Sequence, residues 1–310
     1  MKLASPNLPD RIRKDYVNSD RLIGLCDHVF WQDSFGACPA DSGFRGGQSI
    51  FCKIDRVWEC FGRLVRTRRR VVLITGQGDF PVDDRRLAEA PANIFAWFGS
   101  NAVVEDPRVH PLPLGLGSKH SAVTLCAEEL ADGLESHRPR ERWLYVNFRP
   151  DTNPQVRQPV YDRFQSLSGE DWVTFQAPAT HGDNSGYLEA LLTHRFVLAP
   201  PGNGIDTHRM WEALYAGAIP IVLRSPAMRA FTGLPILFVD DFSEITFDRL
   251  REEELRIRSA EWHLDAMFLP YWREKVLAAC REVQRRPALS LLEWLPSFHQ
   301  AFVRRFFNRQ

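Results

Sequence analysis

The sequence lacks any apolar run near the length of about 18 residues that a membrane-spanning helix needs. Residues 1–20 also lack the apolar centre of a secretion signal. Neither sign of charge is in excess, because Lys and Arg number 39 and Asp and Glu number 39. This balance argues against a surface that coats nucleic acid, and the basic runs at 66–70 and 304–309 are more typical of a solvated face. We therefore expect a cytoplasmic protein with no membrane span and no nucleic-acid partner.

Cysteine is sparse too, and the six that occur form no Cys-x-x-Cys pair and no metal-like alternation with histidine. The cysteines therefore indicate no metal site of the cysteine and histidine type. Four of them lie within the first sixty residues, so a disulfide stays an open alternative. Buried free thiols are what a reducing compartment favours.

The length of 310 residues exceeds the usual size of one domain and suffices for two compact units of roughly 150 residues each. The chain contains no internal repeat and no low-complexity segment. A stretch rich in Gly, Pro and charge, Gly133–Arg142, is the best candidate for a boundary. The sequence therefore predicts an N-terminal domain over 1–138 and a C-terminal domain over 139–310.

Short apolar runs alternate with helical patterns, most clearly in the second half. There the strand candidates are Trp143–Phe148, Trp172–Phe175, Phe196–Ala199, Ile219–Leu223 and Ile236–Val239, and the helix candidates are Pro159–Ser166, Gly186–Leu192, Thr207–Ala216 and Ser243–Arg256. In the first half they are strands Val71–Thr75 and Asn93–Phe98 and helices Arg56–Arg66 and Ser121–Leu134. Strands that alternate with helices pair in parallel through right-handed crossovers, so we predict an α/β fold with a doubly wound second sheet. After Ser259 the pattern is helical, with Pro287 and Pro296 expected to break it.

One segment, Phe196–Leu223, reads as strand, glycine-containing loop, capped helix, turn and strand. Gly202 and Gly204 would let the backbone approach a ligand, and either Asp206 or Thr207 suits the helix N-cap. Free N–H groups and a partial positive charge at the helix start suit a phosphate. In an open α/β sheet such loops lie at the carboxyl ends of strands, where ligands bind.

Helical spacing places His208, Arg209 and Glu212 in one polar sector, which we expect to be open to a ligand. Arg209 would hold the donor phosphates bidentately, Glu212 a ribose or sugar hydroxyl, and His208 the departing diphosphate. The alternative is a capped amphipathic helix whose charged face is merely solvated. The tightly defined loop before the helix favours a binding site, and its candidate contacts are Pro201, Gly202, Asn203, Gly204, Asp206 and Thr207.

The string PPGNGIDTHRMWEALYAGAIPIV, Pro200–Val222, resembles the exostosin-like glycosyltransferases and related nucleotide-sugar enzymes. The likeness extends to 144–153 with Arg157, and in the first half it rests on 97–101 and 111–117. Ala218 departs from it, since many relatives have cysteine there, and the N-terminal half is short and divergent, which leaves the acceptor open.

The resemblance implies a GT-B fold, in which two Rossmann-like domains face a central cleft and the C-terminal domain holds the donor. It implies a hexosyl- or pentosyltransferase that uses a nucleotide sugar as co-substrate, with a hydroxyl-bearing acceptor such as a glycan and no further cofactor. It also implies no Asp-x-Asp metal site, and the sequence contains no Asp-x-Asp. The C-terminal helices from about 287 would cross back to the N-terminal domain and cover the apolar residues Leu291, Leu292, Trp294, Leu295, Phe298, Phe302, Phe306 and Phe307.

Further candidates lie in loops that a GT-B cleft would contain. Arg149, Thr152, Asn153 and Arg157 follow the first strand of the second domain and are candidates for contact with the donor. Asp79 follows a strand of the first domain and is a candidate catalytic base, with turn capping as the alternative. His110 and His120 are similar candidates.

The mechanism predicted is displacement at the anomeric carbon, with Arg209, the helix N-terminus and His208 stabilising the diphosphate in place of a metal. Inversion and retention both stay open. Two other interpretations are a catalytically silent nucleotide-sugar-binding or scaffold protein and an NAD-type oxidoreductase. The latter is disfavoured because the segment Thr75–Pro81 lacks the third glycine of a dinucleotide fingerprint.

Overall fold

The computed structural model describes residues 7–30, 45–118, 125–177 and 185–307, with the backbone alone for residues 185 and 300–307. Within them the chain forms two compact units. The first-sheet unit comprises Arg21–Leu112 and Pro270–Gln310, and the second-sheet unit comprises Met1–Asp20 and Pro113–Leu269. Each unit therefore takes two separate pieces of the chain.

Each unit holds one parallel five-stranded sheet. In the described residues the strands are β1 (His28–Phe30), β2 (Ser49–Lys53), β3 (Val71–Gly76), β4 (Ile94–Gly99), β5 (Val109–Pro111), β6 (Arg142–Val146), β7 (Val173–Phe175), β8 (His194–Leu198), β9 (Ile219–Leu223) and β10 (Leu237–Val239). The helices are α1 (Leu8–Asp15), α2 (Ser19–Ile23), α3 (Val57–Leu64), α4 (Asp84–Glu89), α5 (Ala127–Glu135), α6 (Pro154–Ser166), α7 (Ser185–Thr193), α8 (His208–Tyr215), α9 (Phe247–Ser259), α10 (Leu269–Gln284) and α11 (Leu291–Phe307). Two α/β domains, each built on a parallel sheet, were predicted, and this fold class is confirmed.

The first sheet has the sequential order β1-β2-β3-β4-β5, with every described pair parallel. Right-handed crossovers that always move in one direction put their helices on one face. Accordingly α3 and α4 share a core with β3 and β4, through Cys60, Phe61, Leu87 and Trp97. This sheet is singly wound.

The second sheet has the order β10-β9-β8-β6-β7, also parallel. The chain moves outward from β6 to β7 and then returns past β6 to β8, so the direction of winding reverses between β6 and β8. Helices α6 and α9 cover one face, where Phe164 and Leu250 pack on Leu144 and Phe196. The doubly wound arrangement predicted for this half is confirmed, together with all five of its predicted strands.

Three strands of the first sheet, β1, β2 and β5, were not predicted. β1 and β5 span three residues each, which is too few positions for a periodic pattern. β2 is buried almost throughout and therefore shows no alternation of polar and apolar residues. The predicted helix near 121–134 corresponds to α5, and residues 121–124 lie outside the described residues.

The chain changes units between Leu112 and Pro113, whereas the sequence suggested 138. The backbone contacts explain the difference. Leu112 N–H still donates to the Gly99 carbonyl at the end of β4, over 2.9 Å. Two residues later, Leu114 N–H donates to the Asp206 carboxylate of the second-sheet unit over 2.8 Å.

The last helix, α11, packs against the first-sheet unit. The Trp294 indole donates to the Val65 carbonyl over 2.7 Å, and Glu293 forms an ion pair with Arg70 at 3.3 Å. Pro296 was expected to break the helix but lies inside it, so that prediction is wrong. The carbonyl deprived of a hydrogen bond belongs to Leu292, whose 84% exposure leaves water to replace the donor.

The described cysteines, Cys26, Cys52, Cys60, Cys126 and Cys280, are free thiols. Cys38 lies outside the described residues. Burial raises the pKa of the Cys280 thiol to about 11. Among the helices described, none combines the length and the apolar character needed to cross a membrane.

Candidate functional site

The predicted site lies at the winding reversal of the second sheet. The loop after β6, residues 147–153, leads to α6 on one face, and the loop after β8, residues 199–207, leads to α8. Loops that leave adjacent parallel strands for opposite faces open a crevice at the carboxyl edge, where ligands of such sheets bind. The reversal therefore marks the same loops that the sequence singled out.

Helix α8 begins as the sequence predicts. Thr207 has the extended conformation of an N-cap, although its side chain makes no capping hydrogen bond. The helix ends before Gly217, whose φ of +76° is the left-handed conformation that glycine adopts most easily. Between these ends, Met210, Trp211 and Leu214 are buried.

The two loops are joined by the guanidinium of Arg157, at the end of the first turn of α6. Its Nη2 donates to the Pro200 carbonyl at 2.9 Å, and its Nε donates to the Pro201 carbonyl at 3.0 Å. Its Nη1 donates to the Arg149 carbonyl at 2.9 Å and to Thr152 Oγ1 at 2.6 Å. Arg157 therefore fixes both loops at once.

Gly202 leaves the space that this guanidinium occupies. A Cβ at Gly202 would lie 2.9 Å from Nη2 of Arg157. The sequence predicted that this glycine lets a ligand approach, but the space beside it is taken by Arg157. Asn153 adds to the junction by donating to the Pro201 carbonyl at 3.4 Å and to the Gly202 carbonyl at 3.1 Å.

Arg209, in the first turn of α8, is only partly engaged. Its Nη2 donates to Asn147 Oδ1 at the end of β6 over 3.3 Å, and its guanidinium lies 5.6 Å from the ring centre of Tyr187. Within the described residues, its Nε is buried without a hydrogen-bond partner, and so is Thr207 Oγ1. Buried polar atoms of this kind cost free energy unless a ligand or water satisfies them.

The crevice is electropositive. The pKa of Arg157 is lowered to about 10, mainly by burial and in addition by the charge on Arg209. Two guanidinium groups thus share the junction of the two loops, and an anion placed between them would be stabilised by both. The first turn of α8 adds its free N–H groups.

Glu212 does not face an open crevice. It is 5% exposed, and its carboxylate accepts hydrogen bonds from the Tyr187 hydroxyl at 2.7 Å and from Leu125 N–H at 3.3 Å. Burial, together with the adjacent carboxylate, raises the pKa of Tyr187 well above its usual value. Ala213, Tyr215 and Ala216 are fully buried as well. The expectation of an open polar sector is therefore wrong beyond the first turn, because α5 and α7 cover that side.

Asp206 is also enclosed, at 4% exposure. Its carboxylate accepts from the Trp211 indole at 2.8 Å and from Leu114 N–H at 2.8 Å. Burial raises its pKa to about 7, against the lowering effect of these hydrogen bonds. These contacts describe a carboxylate that holds the 113–117 segment, and they leave no oxygen directed at a ligand.

His208 holds the same segment. Its Nδ1 lies 2.8 Å from the Gly115 carbonyl and therefore donates to it. Gly115, with φ of +72°, is needed there because a Cβ would lie 2.1 Å from the Val17 carbonyl oxygen. The second ring nitrogen of His208, Nε2, is the one left for chemistry on a ligand.

The remaining predicted contacts border the crevice. Pro201 and Gly204 are half-buried and Asn203 is exposed. Thr152 donates to the Arg149 carbonyl over 3.1 Å. The Arg149 side chain is exposed and forms an ion pair with Asp151 at 2.6 Å.

The candidates of the first half lie elsewhere. Asp79 is exposed, on the loop after β3 in the first-sheet unit, and its carbonyl accepts from Asn101 Nδ2 over 3.5 Å. A sheet with sequential strand order has no winding reversal, so its topology does not single out Asp79. His110 stacks on Phe98 with ring centres 4.8 Å apart. His120 lies outside the described residues.

Sequence reasoning missed two neighbours of Arg209. Asn147 could have been found, because it directly follows β6 at the carboxyl edge of the sheet. Tyr187 gave no signal, because its contact with Arg209 depends on how α7 packs beside α8.

No protein-family model and no curated protein matches the sequence. Among solved structures, the chain is similar to an α1,3-fucosyltransferase with GDP-fucose, at 16% identity and a TM-score of 0.43 over 81% of each chain. It is also similar to an α,α-trehalose-phosphate synthase (UDP-forming) from Burkholderia xenovorans in complex with glucose-6-phosphate, at 10% identity and a TM-score of 0.39 over 83% of this chain and 74% of that one. A spinosyn rhamnosyltransferase is similar at 11% identity and a TM-score of 0.40, over 84% of this chain and 72% of that one. Identities and TM-scores this low assign neither a family nor an activity.

Proposed function

We propose that the chain is a glycosyltransferase of the GT-B type that binds the diphosphate of a nucleotide sugar through the Arg209 guanidinium and the free N–H groups of the first turn of α8. The observation that carries the proposal is the partly engaged guanidinium of Arg209 at the winding reversal, with its Nε buried and unpartnered. The sequence resemblance over Pro200–Val222 supports the nucleotide sugar as the source of that diphosphate.

In the proposed reaction the bond between the anomeric carbon and the diphosphate oxygen breaks, and a bond to the acceptor oxygen forms. The acceptor proton passes to a base, for which Asp79 stays the candidate. Arg209, the N–H groups of α8 and His208 stabilise the charge that develops on the leaving diphosphate, without a metal. No further cofactor is required.

The described contacts support revised roles for three predicted donor contacts. Glu212 and Asp206 are proposed to position the first turn of α8, through Tyr187 and Leu114 respectively. Gly202 is proposed to accommodate Arg157, which shapes the loop that faces the donor. Direct donor contact is assigned to Arg209, Thr207, Asn203 and Gly204.

The test is donor binding by variants of Arg209. Arg209→Ala should weaken the binding of UDP or GDP by about 2 kcal/mol, which is about thirtyfold, because a charged hydrogen bond is lost. Arg209→Lys should lose most of this affinity, because an ammonium keeps the charge but not the planar fork. Arg251→Ala removes an exposed arginine of α9 and serves as the matched control.

Calorimetry in excess chelator, with melting curves for each variant, measures these effects. Arg209→Ala should melt close to the unmodified protein, because its side chain makes one long hydrogen bond. Unchanged nucleotide affinity in a folded Arg209→Ala variant would reject the proposed site. Release of a labelled sugar to water or to an acceptor then separates an enzyme from a silent binding protein.

A further inference from the structure

Helix α11 has two different faces. The inner face carries Trp294, whose indole is bonded to Val65, and Ser297, whose hydroxyl accepts from Ala92 N–H over 3.1 Å. These contacts hold the helix against the rest of the first-sheet unit. The opposite side of its first turns faces solvent. The C-terminal helices thus cover the unit without burying all of their own apolar residues.

The outer face is apolar and exposed. Leu291, Leu292, Leu295 and Phe298 are 57%, 84%, 47% and 37% exposed. Successive residues of a helix are separated by about 100°, so these four occupy about one third of its circumference. Four large apolar side chains side by side are more than the scattered exposure that a protein surface ordinarily shows.

Arginines lie near the start of this helix. The Arg68 carbonyl accepts from Leu289 N–H over 2.8 Å, so the loop 66–70 lies directly beside the start of α11. Arg68 and Arg69 are exposed in that loop. Arg285 is also exposed, a few residues before α11 in the sequence. Among the described residues, these three side chains form no ion pair, whereas Arg70 is paired with Glu293. The surface therefore joins a leucine-rich strip to an unneutralised basic edge.

We propose that this face of α11 binds an anionic lipid surface. A helix that lies in the plane of a membrane buries its apolar side chains at the level of the headgroups, and adjacent arginines attract the lipid phosphates. The exposed leucines supply the first requirement and Arg68, Arg69 and Arg285 supply the second. The protein would then be a peripheral membrane protein, held by a surface that is separate from the proposed donor site.

A second copy of the chain fits this face less well. In a two-fold dimer both copies contribute the same surface, so the contact would bring two sets of unneutralised arginines into one interface. Repulsion between like charges opposes such a contact, whereas an anionic bilayer neutralises the same charges. The membrane is therefore the occupant that the charges favour.

The experiment is cosedimentation of the full chain with phosphatidylcholine vesicles, with and without phosphatidylglycerol. We expect binding to the anionic vesicles that weakens as salt is added. The variant Leu292→Glu with Leu295→Glu should bind more than about tenfold less, because two apolar side chains are lost from the interface. Leu255→Glu, on α9 of the second-sheet unit, is the control, because Leu255 is 72% exposed and should not affect binding.

A second variant tests the basic edge independently. Arg68→Gln with Arg69→Gln should lower the partition onto anionic vesicles by about fivefold for each arginine, and should leave melting unchanged. Absence of binding to anionic vesicles, or equal binding by the Leu292→Glu, Leu295→Glu variant, overturns the proposal. So does a dimer in sedimentation velocity that this leucine variant abolishes, since the face would then be an interface between copies.

Discussion

At the scale of single residues, the candidate site depends on Arg157 as much as on Arg209. All three guanidinium nitrogens of Arg157 donate hydrogen bonds to the two loops. The acceptors are the Pro200, Pro201 and Arg149 carbonyls and the Thr152 hydroxyl. Arg209 retains an unpartnered Nε. Two arginines a short distance apart thus have different tasks, since one builds the loops and the other is left for a ligand. Spacing in the sequence cannot separate them, because the difference lies in which carbonyls each guanidinium reaches.

Gly202→Ala tests this division. Its new Cβ would lie 2.9 Å from Nη2 of Arg157, which cannot move without breaking hydrogen bonds to the Pro200 and Pro201 carbonyls. We expect a loss of about 1 to 3 kcal/mol in the free energy of unfolding, as for other overpacked sites. Urea titration measures it, with Gly169→Ala as control, because a Cβ at Gly169 meets no atom within 4 Å. Equal stability of the two variants would show that Arg157 is not held in place.

Asp206 predicts a dependence of stability on pH. Its pKa of about 7 in the folded protein exceeds the unfolded value of about 3.9, so the folded state binds the proton more tightly. The contribution of this residue is therefore fully present below pH of about 4 and is lost as the pH rises through about 7.

The measurement compares Asp206→Asn with the unmodified protein. The variant cannot titrate, and its amide replaces one of the oxygens that accept from Trp211 and Leu114, so a constant loss of stability is expected. Beyond that offset, the free energy of unfolding of the unmodified protein should fall relative to the variant between pH of about 4 and about 7. Parallel curves from urea titrations across this range would exclude the raised pKa.

At the scale of elements, the sequence predicts the second sheet much better than the first. Strands β8 and β9 stand out as apolar runs on either side of a capped helix, so each boundary has a local signal. β1 and β5 have none, because three-residue strands are defined by the neighbours with which they pair. A doubly wound sheet was predicted, but the position of its winding reversal, between β6 and β8, cannot be read from the sequence, since strand order is a property of tertiary packing. The loops of the site were therefore predicted, but the reason for their convergence was not.

In helix α3, a glycine-to-alanine substitution is expected to stabilise the protein, whereas Gly202→Ala is expected to destabilise it. Gly62 lies within this helix, is exposed, and would meet no atom within 4 Å if it carried a Cβ. Gly62→Ala should therefore raise the free energy of unfolding by about 0.5 to 1 kcal/mol, because alanine loses less backbone entropy in a helix. Gly47→Ala, in the same unit, should destabilise, because φ is +83° and a Cβ would lie 2.8 Å from the Cys280 carbonyl oxygen. Thermal melts of both variants measure these effects. Destabilisation by Gly62→Ala would contradict the position of Gly62 within α3.

At the scale of the whole molecule, neither unit is a continuous piece of sequence. Residues up to Asp20 belong with the second sheet, where Arg13 of α1 pairs with Asp132 and Glu135 of α5 at 2.6 Å and 2.7 Å. The segment from Pro270 belongs with the first sheet. A single boundary drawn at 138 cannot describe two units that each contain two separate segments. Local composition indicates where the chain forms a loop, but it does not indicate which sheet the following segment joins. The return of the tail to the first unit was predicted from its excess of apolar residues, but Leu291, Leu292, Leu295 and Phe298, which were expected to be covered, are exposed. The side chains of Phe302 and Phe306 lie outside the described residues.

The proposed function predicts which unit a nucleotide protects. Binding at the winding reversal of the second sheet should slow hydrogen exchange in residues 147–157 and 200–212, because the ligand bridges two loops that Arg157 already joins. Exchange in β3 and β4 should stay unchanged, since they belong to the first-sheet unit. The measurement is hydrogen–deuterium exchange with UDP or GDP in excess chelator, beside Arg209→Ala, in which the protection should vanish at the same nucleotide concentration.

Protection confined to the loop after β3 would instead move the nucleotide to the neighbourhood of Asp79 and the Thr75–Pro81 segment. Protection that appears only when divalent metal is restored would keep the site but reject the metal-free mechanism, because the diphosphate charge would then need a partner besides Arg209 and the N–H groups of α8.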